Sequence, residues 1–216
     1  MSQVQTILIV IGIIIFLIIL IGIAFIKAKG RYEHLSGESG ENTIANILNN
    51  LKEDDEVVIN DFLVSRNKEG THSIQIDHIF ISHRGIFVIE TKDYKGKIYG
   101  NTYDKYWTQY IGRRTENRLY NPIMQNETHC RYIDKLFHHR YMIDNIVIFL
   151  DAELYINGRD DTLFNPLSFV NYYCGIKDNT YLSTNDIDYI SNKLYDLLMN
   201  RSITKEEHIR NIRRDH

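Results

Sequence analysis

Residues 7–26, ILIVIGIIIFLIILIGIAFI, are apolar without interruption. Twenty helical residues span about 30 Å, the thickness of a bilayer's hydrocarbon core. No charged side chain precedes the run, whereas Lys27, Lys29 and Arg31 follow it directly. That asymmetry predicts a single-pass anchor in the lipid bilayer, with residues 1–6 outside and everything after Lys27 in the cytoplasm. A cleaved leader would need a basic start, a shorter apolar stretch and a small-residue cleavage site, and none of the three is evident.

Past a basic, polar linker over residues 27–35, the pattern becomes that of a folded domain. Ile44, Ala45, Ile47, Leu48 and Leu51 recur at helical spacing and predict a helix beginning near Glu38. EVVINDFLV (56–64) reads as a strand, and QIDHIFISHRGIFVIETK (75–92) as two apolar strands joined by a short turn. GKIYGNTYDKYWTQY (96–110) predicts short strands or an irregular hairpin. Asn121-Pro122 supplies an N-cap and a first-turn proline for a helix running to about His139, with Ile133, Leu136 and Phe137 on its apolar side. NIVIFL (145–150) has the continuous apolar character of a strand buried on both faces. PLSFVNYYCGI (166–176) is expected to hold a further strand, and TNDIDYISNKLYDLLMN (184–200) an amphipathic helix capped at Thr184 or nearby. The basic stretch over residues 201–216 reads as a last helix that frays. This order predicts an α/β domain: a sheet with helices packed on its faces.

Composition narrows the chemistry only a little. The formal net charge of the 216 residues is -3, so no global basic field announces a nucleic-acid binder. An enzyme whose metal ion supplies the positive charge is untouched by that balance. The two cysteines, Cys130 and Cys174, stand in no zinc-binding spacing and read as reduced thiols.

Three charges interrupt the two central strands: Asp77 in the first, Glu90 and Lys92 in the second. Burying an ion costs several kcal/mol unless it is paired or binds a metal. Glu90 and Lys92 share a face by alternation. If His83 and Arg84 form a two-residue loop, Asp77 falls opposite Glu90, and two carboxylates and an ammonium converge. A three-residue loop with Gly85 in the left-handed region would send Asp77 to the other face, so convergence depends on register. Glu41 lies on the stripe of the first helix that faces the sheet. Gln125 does the same in the later helix, in line with His129, Tyr132 and Leu136. Two carboxylates that close raise each other's proton affinity unless a cation intervenes. Magnesium suits them, as a hard ion that takes oxygen ligands and keeps several waters. A buried salt bridge between Lys92 and either carboxylate is the purely structural alternative.

Four stretches, GESGENTIANIL, QIDHIFIS, GIFVIETKDYKGKIYG and NPIMQNETH, resemble the nuclease-related domain (NERD), a branch of the PD-(D/E)xK nuclease superfamily. The resemblance covers residues 36–140, with residues 141–200 expected to complete the domain. It implies a restriction-endonuclease-like α/β core, a central mixed sheet flanked by helices, behind the single transmembrane helix. It further implies that Glu41 is the helix glutamate of the first motif, with Glu38 the weaker candidate. Asp77 would be the metal-binding aspartate, Glu90 and Lys92 the acidic-x-lysine pair, and Gln125 the glutamine of the following helix. Asp77, Glu90, the Thr91 backbone carbonyl and Glu41, directly or through water, would hold Mg2+, with Mn2+ as a substitute.

The expected function is then a membrane-anchored, metal-dependent nuclease acting on nucleic acid, DNA first, at the cytoplasmic face. Members of this superfamily often work in dimers, which makes a homodimer one expectation. The rival expectations are a catalytically silent anchored module that binds nucleic acid or protein, and a scaffold whose charges are only ion pairs. His78 is expected on the opposite sheet face from Asp77, in a packing role, and Trp107 in the core or covering the site. Lys95 and Lys97 read first as a solvated hairpin, with phosphate contact as the alternative, and Arg113, Arg114 and Arg118 read equally as an electrostatic guide for DNA or a plain exposed loop. His138 and His139 are read as a helix end.

Overall fold

A computed structural model describes residues 39–67, 72–112, 115–158, 161–176 and 179–214. The expected membrane segment over residues 7–26, its flanks, Glu38, Arg113 and Arg114 lie outside the described residues. Among the described residues no helix is long and apolar enough to cross a membrane.

The spine is one long strand. β3 (Gly85–Asn101) pairs through its first half with β2 (Ser73–Ser82) and through its second half with β4 (Tyr106–Ile111). Antiparallel pairing continues outward to β1 (Val57–Ser65) on one side and β5 (Thr115–Tyr120) on the other. Along its opposite edge β3 pairs in parallel with β6 (Ile143–Asn157), which in turn pairs with the short β7 (Leu163–Phe164). The sheet is therefore mixed, and helices flank it, as in a nuclease-like core.

Strict alternation along β3 sorts the two faces. Ile86 and Val88 enter one core with Ile76, Ile79 and Ile81, beneath helices α2 (Pro122–Leu136) and α4 (Thr184–Arg201). Phe87 and Ile89 enter the other with Ile146 and Ile148, beneath α1 (residues 39–51) and α3 (Pro166–Gly175). A strand covered on both faces needs apolar residues at every position, which explains the unbroken apolar run from Ile86 to Ile89. The far halves of β3 and β6 instead cover Trp107, with Ile98, Phe149 and Leu154 inward and Lys97, Tyr99, Glu153 and Tyr155 outward. A final helix, α5 (Lys205–Arg214), is tied to the first hairpin, where Ser73 and the His208 imidazole share a 2.7 Å hydrogen bond.

Two local expectations change, and a third is made definite. PLSFVNYYCGI forms α3 rather than a strand: Phe169, Tyr172, Tyr173 and Ile176 recur at helical spacing, Pro166 occupies the first turn, and Asn165 and Ser168 form a capping box. The cap of α4 is Ser183, whose side chain and that of Asp186 satisfy each other's backbone N–H groups. The helix expected to reach His139 stops at Leu136, because His138 and His139 take the left-handed φ values of 55° and 59°.

Asn121 fixes where α2 begins and is wholly buried. Its Oδ1 accepts the Ile123 N–H at 2.9 Å, while Nδ2 donates to the carbonyls of Thr102 (3.0 Å) and Asp104 (2.8 Å). Asn121→Ala removes the cap and strands both carbonyls, an expected loss of roughly 2 kcal/mol. Urea denaturation of the variant checks it, and a loss below about 0.5 kcal/mol would mean the cap is dispensable.

Candidate active site

The turn between β2 and β3 sets the register on which the charged residues depend. Ser82 pairs with Gly85, so His83 and Arg84 form a two-residue loop. Gly85, at φ 141°, takes the backbone conformation that a side chain would strain, and His83 and Arg84 keep negative φ. The ladder then runs to His78–Ile89 and stops one step short of Asp77 and Glu90. Where it stops, the Asp77 carboxylate replaces it, Oδ2 accepting the Thr91 N–H at 2.8 Å. Asp61, the residue facing Asp77 on β1, has φ 50°, and the β1–β2 register skips both positions. Alternation breaks there: Ile76 and Ile79 share one core although three positions apart. The carboxylate is left in the gap where β2 and β3 part.

Glu90 and Lys92 lie on one face, as alternation requires. Lys92 Nζ donates to Glu90 Oε1 at 2.6 Å and to Gln125 Oε1 at 3.2 Å. The same Gln125 turns its Nε2 to Glu90 Oε1 at 2.7 Å, closing a triangle of strand carboxylate, strand ammonium and helix amide. The Glu90 and Lys92 side chains are 4% and 15% exposed, so the pair is held in a low-dielectric setting. Glu41 stands at the start of α1, half-buried. Close approach of that helix end depends on Gly40, where an added Cβ would lie 3.0 Å from Asp93 Cβ and 3.3 Å from Leu150 Cδ1.

The balance of charge is negative. Burial, Glu90 and Glu41 together hold the Asp77 carboxyl well above the usual carboxylate range, against the Thr91 N–H and Lys92, which favour its ionised form. Burial alone would lower the Lys92 ammonium, but Glu90 and Tyr94 carry it above the ordinary lysine value. Lys92 is thus a fixed cation and donor, unsuited to act as a base at neutral pH. Glu90 Oε2 is buried without a hydrogen-bond partner. His129 Nδ1, likewise unpartnered, stands 3.5 Å from it. Burial lowers the His129 pKa, with Glu90 opposing, which keeps the imidazole from simply neutralising the carboxylate.

An orphaned carboxylate oxygen beside a second carboxyl of raised proton affinity is a setting that a divalent cation would relieve. Among the described residues no group of three or more His, Cys, Asp or Glu side chains is arranged to hold a metal. An ion held by Asp77 and Glu90 would complete its shell with backbone and water oxygens, as magnesium does.

The structure brings Asp77, Glu90, Thr91, Lys92 and Gln125 together, with Glu41 near enough to act electrostatically on Asp77. His129 had no assigned role in the sequence, although its place one turn after Gln125 on the same stripe was visible. His78 is packed, 1% exposed, with Nδ1 2.7 Å from Asn60 Oδ1 and its pKa lowered by burial to about 4. Trp107 fills the core, its Nε1 donating to the Asn101 carbonyl at 2.8 Å. Lys95, Lys97 and Arg118 are exposed, and the Arg118 guanidinium lies 3.7 Å from the centre of the Tyr106 ring.

The sequence profile of the nuclease-related domain matches residues 36–150, just over half of the chain, and ends within β6. An uncharacterized protein of Bacillus anthracis is 34% identical over 127 residues, covering 57% of this chain and 58% of that protein. The chain thus spans a little over half the length of that relative. No solved structure matches it.

Proposed function

Since this chain belongs to the nuclease-related domain family, within the PD-(D/E)xK-like nuclease superfamily, we propose that it is a metal-dependent nuclease that hydrolyses phosphodiester bonds of nucleic acid. The observation that carries the proposal is the Glu90–Lys92–Gln125 triangle with Asp77 in the strand gap beside it and Glu90 Oε2 unsatisfied. Asp77, Glu90, the Thr91 carbonyl and Glu41 would hold a magnesium or manganese ion. Such an ion acidifies a water and neutralises phosphate charge.

The chain's own residues divide the remaining work. Lys92, permanently protonated, holds the attacking water by its lone pair or takes charge from the phosphoryl oxygens as the pentavalent phosphorus forms. Gln125 keeps Lys92 and Glu90 in fixed relation, its amide oxygen toward the ammonium and its amide nitrogen toward the carboxylate. His129 fills the space behind Glu90 and excludes water from it. DNA is the proposed substrate. Residues 7–26 would hold the enzyme at the cytoplasmic face of a membrane.

The test offers supercoiled, linear and single-stranded DNA, and RNA, to the full chain with magnesium or manganese. Metal-dependent cleavage of any of them supports the reading, and the preferred polymer names the substrate. One observation favours a silent binding module instead: Glu90 Oε1 already receives both Lys92 and Gln125, a closed arrangement that is stable without an ion. That reading predicts retention of nucleic acid in a filter-binding assay and no cleavage under any metal.

A further inference from the structure

At the start of β3, seven residues or about 23 Å along the strand from Lys92, the β2–β3 turn borders a cavity of about 300 Å³. Its lining includes Arg84, Arg140, Asp144, Tyr141, Tyr172 and Tyr181. Both arginines are committed elsewhere. Arg84 donates to Glu53 at 2.9 Å, to Glu56 at 3.2 Å and to the Tyr173 hydroxyl, and Arg140 lies 3.5 Å from Asp186. Asp144, at the start of β6, makes no hydrogen bond or ion pair among the described residues, although it is half-buried. Its Oδ2 lies over Gly85, 3.6 Å from where a Cβ would stand. Among the described residues, the two arginines of the lining are thus taken up by Glu53, Glu56 and Asp186 outside it, and Asp144 is the carboxylate of the lining that has no partner. Burial also lifts its proton affinity, the mark of a carboxylate short of a compensating cation.

We propose that this cavity is a second binding site, separate from the proposed active site, which takes a small primary ammonium compound with its charged head on Asp144. A hydrated metal ion would need several oxygen ligands, and the cavity offers one carboxylate. An alkyl ammonium uses what is there: N–H groups donate to Asp144, and methylenes lie along the Tyr172 and Tyr181 rings.

Putrescine, titrated calorimetrically into the full chain, is the probe. Saturable binding is expected, at least tenfold weaker in Asp144→Asn and weakened in Tyr181→Ser, with propionate inert. Asp144 forms no partnered interaction among the described residues, so Asp144→Asn should melt no lower than the unaltered protein, which separates loss of a site from loss of the fold. Asp77→Asn should bind putrescine unchanged. No saturation at millimolar putrescine, equal binding by Asp144→Asn, or binding lost in Asp77→Asn would each overturn the proposal, the last by moving the amine into the catalytic carboxylates.

Discussion

Asp77→Asn should lose cleavage by about 10³-fold or more, roughly 4 kcal/mol of transition-state stabilisation, while melting higher than the unaltered protein. The two effects share one cause. Asp77 is held beside Glu90 and Glu41 with its carboxyl well above the usual range, so the ion-free fold carries a repulsion that asparagine removes. The amide oxygen still accepts the Thr91 N–H that Asp77 now receives at 2.8 Å. A gain of roughly 1 kcal/mol would raise the melting temperature of a chain this size by about 2–4 °C. The sign with pH follows from linkage. The folded state holds the Asp77 proton more tightly than the unfolded chain, whose carboxyl titrates near 3.8. The contribution is present in full below that value and is lost as pH rises through the elevated folded-state pKa. Asp77→Asn should flatten that decline. Melting curves across pH, without metal, test it; a variant that melts markedly lower would instead support a purely structural carboxylate.

The largest expected loss of stability lies outside the site, at Glu56. Its side chain is fully buried, and its carboxylate accepts the His83 N–H at 3.0 Å, Arg84 Nη1 at 3.2 Å and the Tyr173 hydroxyl at 3.1 Å. Removing it leaves the Arg84 guanidinium, whose side chain is 5% exposed, with only the half-exposed Glu53 and the Tyr173 hydroxyl, and frees the turn that fixes the β2–β3 register. Breaking a buried ion pair from one side costs about 3–5 kcal/mol. Against a total stability of about 5–15 kcal/mol, Glu56→Ala should leave a sizeable unfolded fraction at 37 °C and little cleavage. Glu56→Gln keeps most of the hydrogen bonds and should lose less. Urea denaturation of both variants checks the order, and equal, small losses would show that the turn holds without this carboxylate.

The contrast between these two residues shows what the sequence could carry. Glu90 and Lys92 were placed on one face by alternation alone, because Ile86 to Ile89 are covered on both sides and their faces are strictly assigned. The position of Asp77 was conditional on a turn, and the condition lay in Glu56 and Arg84, 28 residues apart, whose pairing no local pattern announces. Even the right register would not have put Asp77 on the backbone of Thr91, since that contact exists only because the ladder ends one pair early. The stretch over residues 166–176 misled for a different reason. Its aromatic and β-branched content favours a strand, while the capping box of Asn165 and Ser168 and the proline between them favour a helix, and capping prevailed. His129 needed the fold, for a histidine on a helix stripe carries no sign of the carboxylate it will face.

The central claim is that Lys92 acts as a fixed cation at a phosphodiester, and Lys92→Met tests it most directly. Methionine keeps the length and packing of the side chain, and Gln125 still donates to Glu90. The measurement is single-turnover DNA cleavage by the full chain and by Lys92→Met at saturating magnesium, with circular dichroism on both. A folded variant slower by about 10²–10⁴-fold is the predicted result. A folded Lys92→Met that cleaves at the unaltered rate would contradict the account, and the nuclease activity would have to reside elsewhere in the chain.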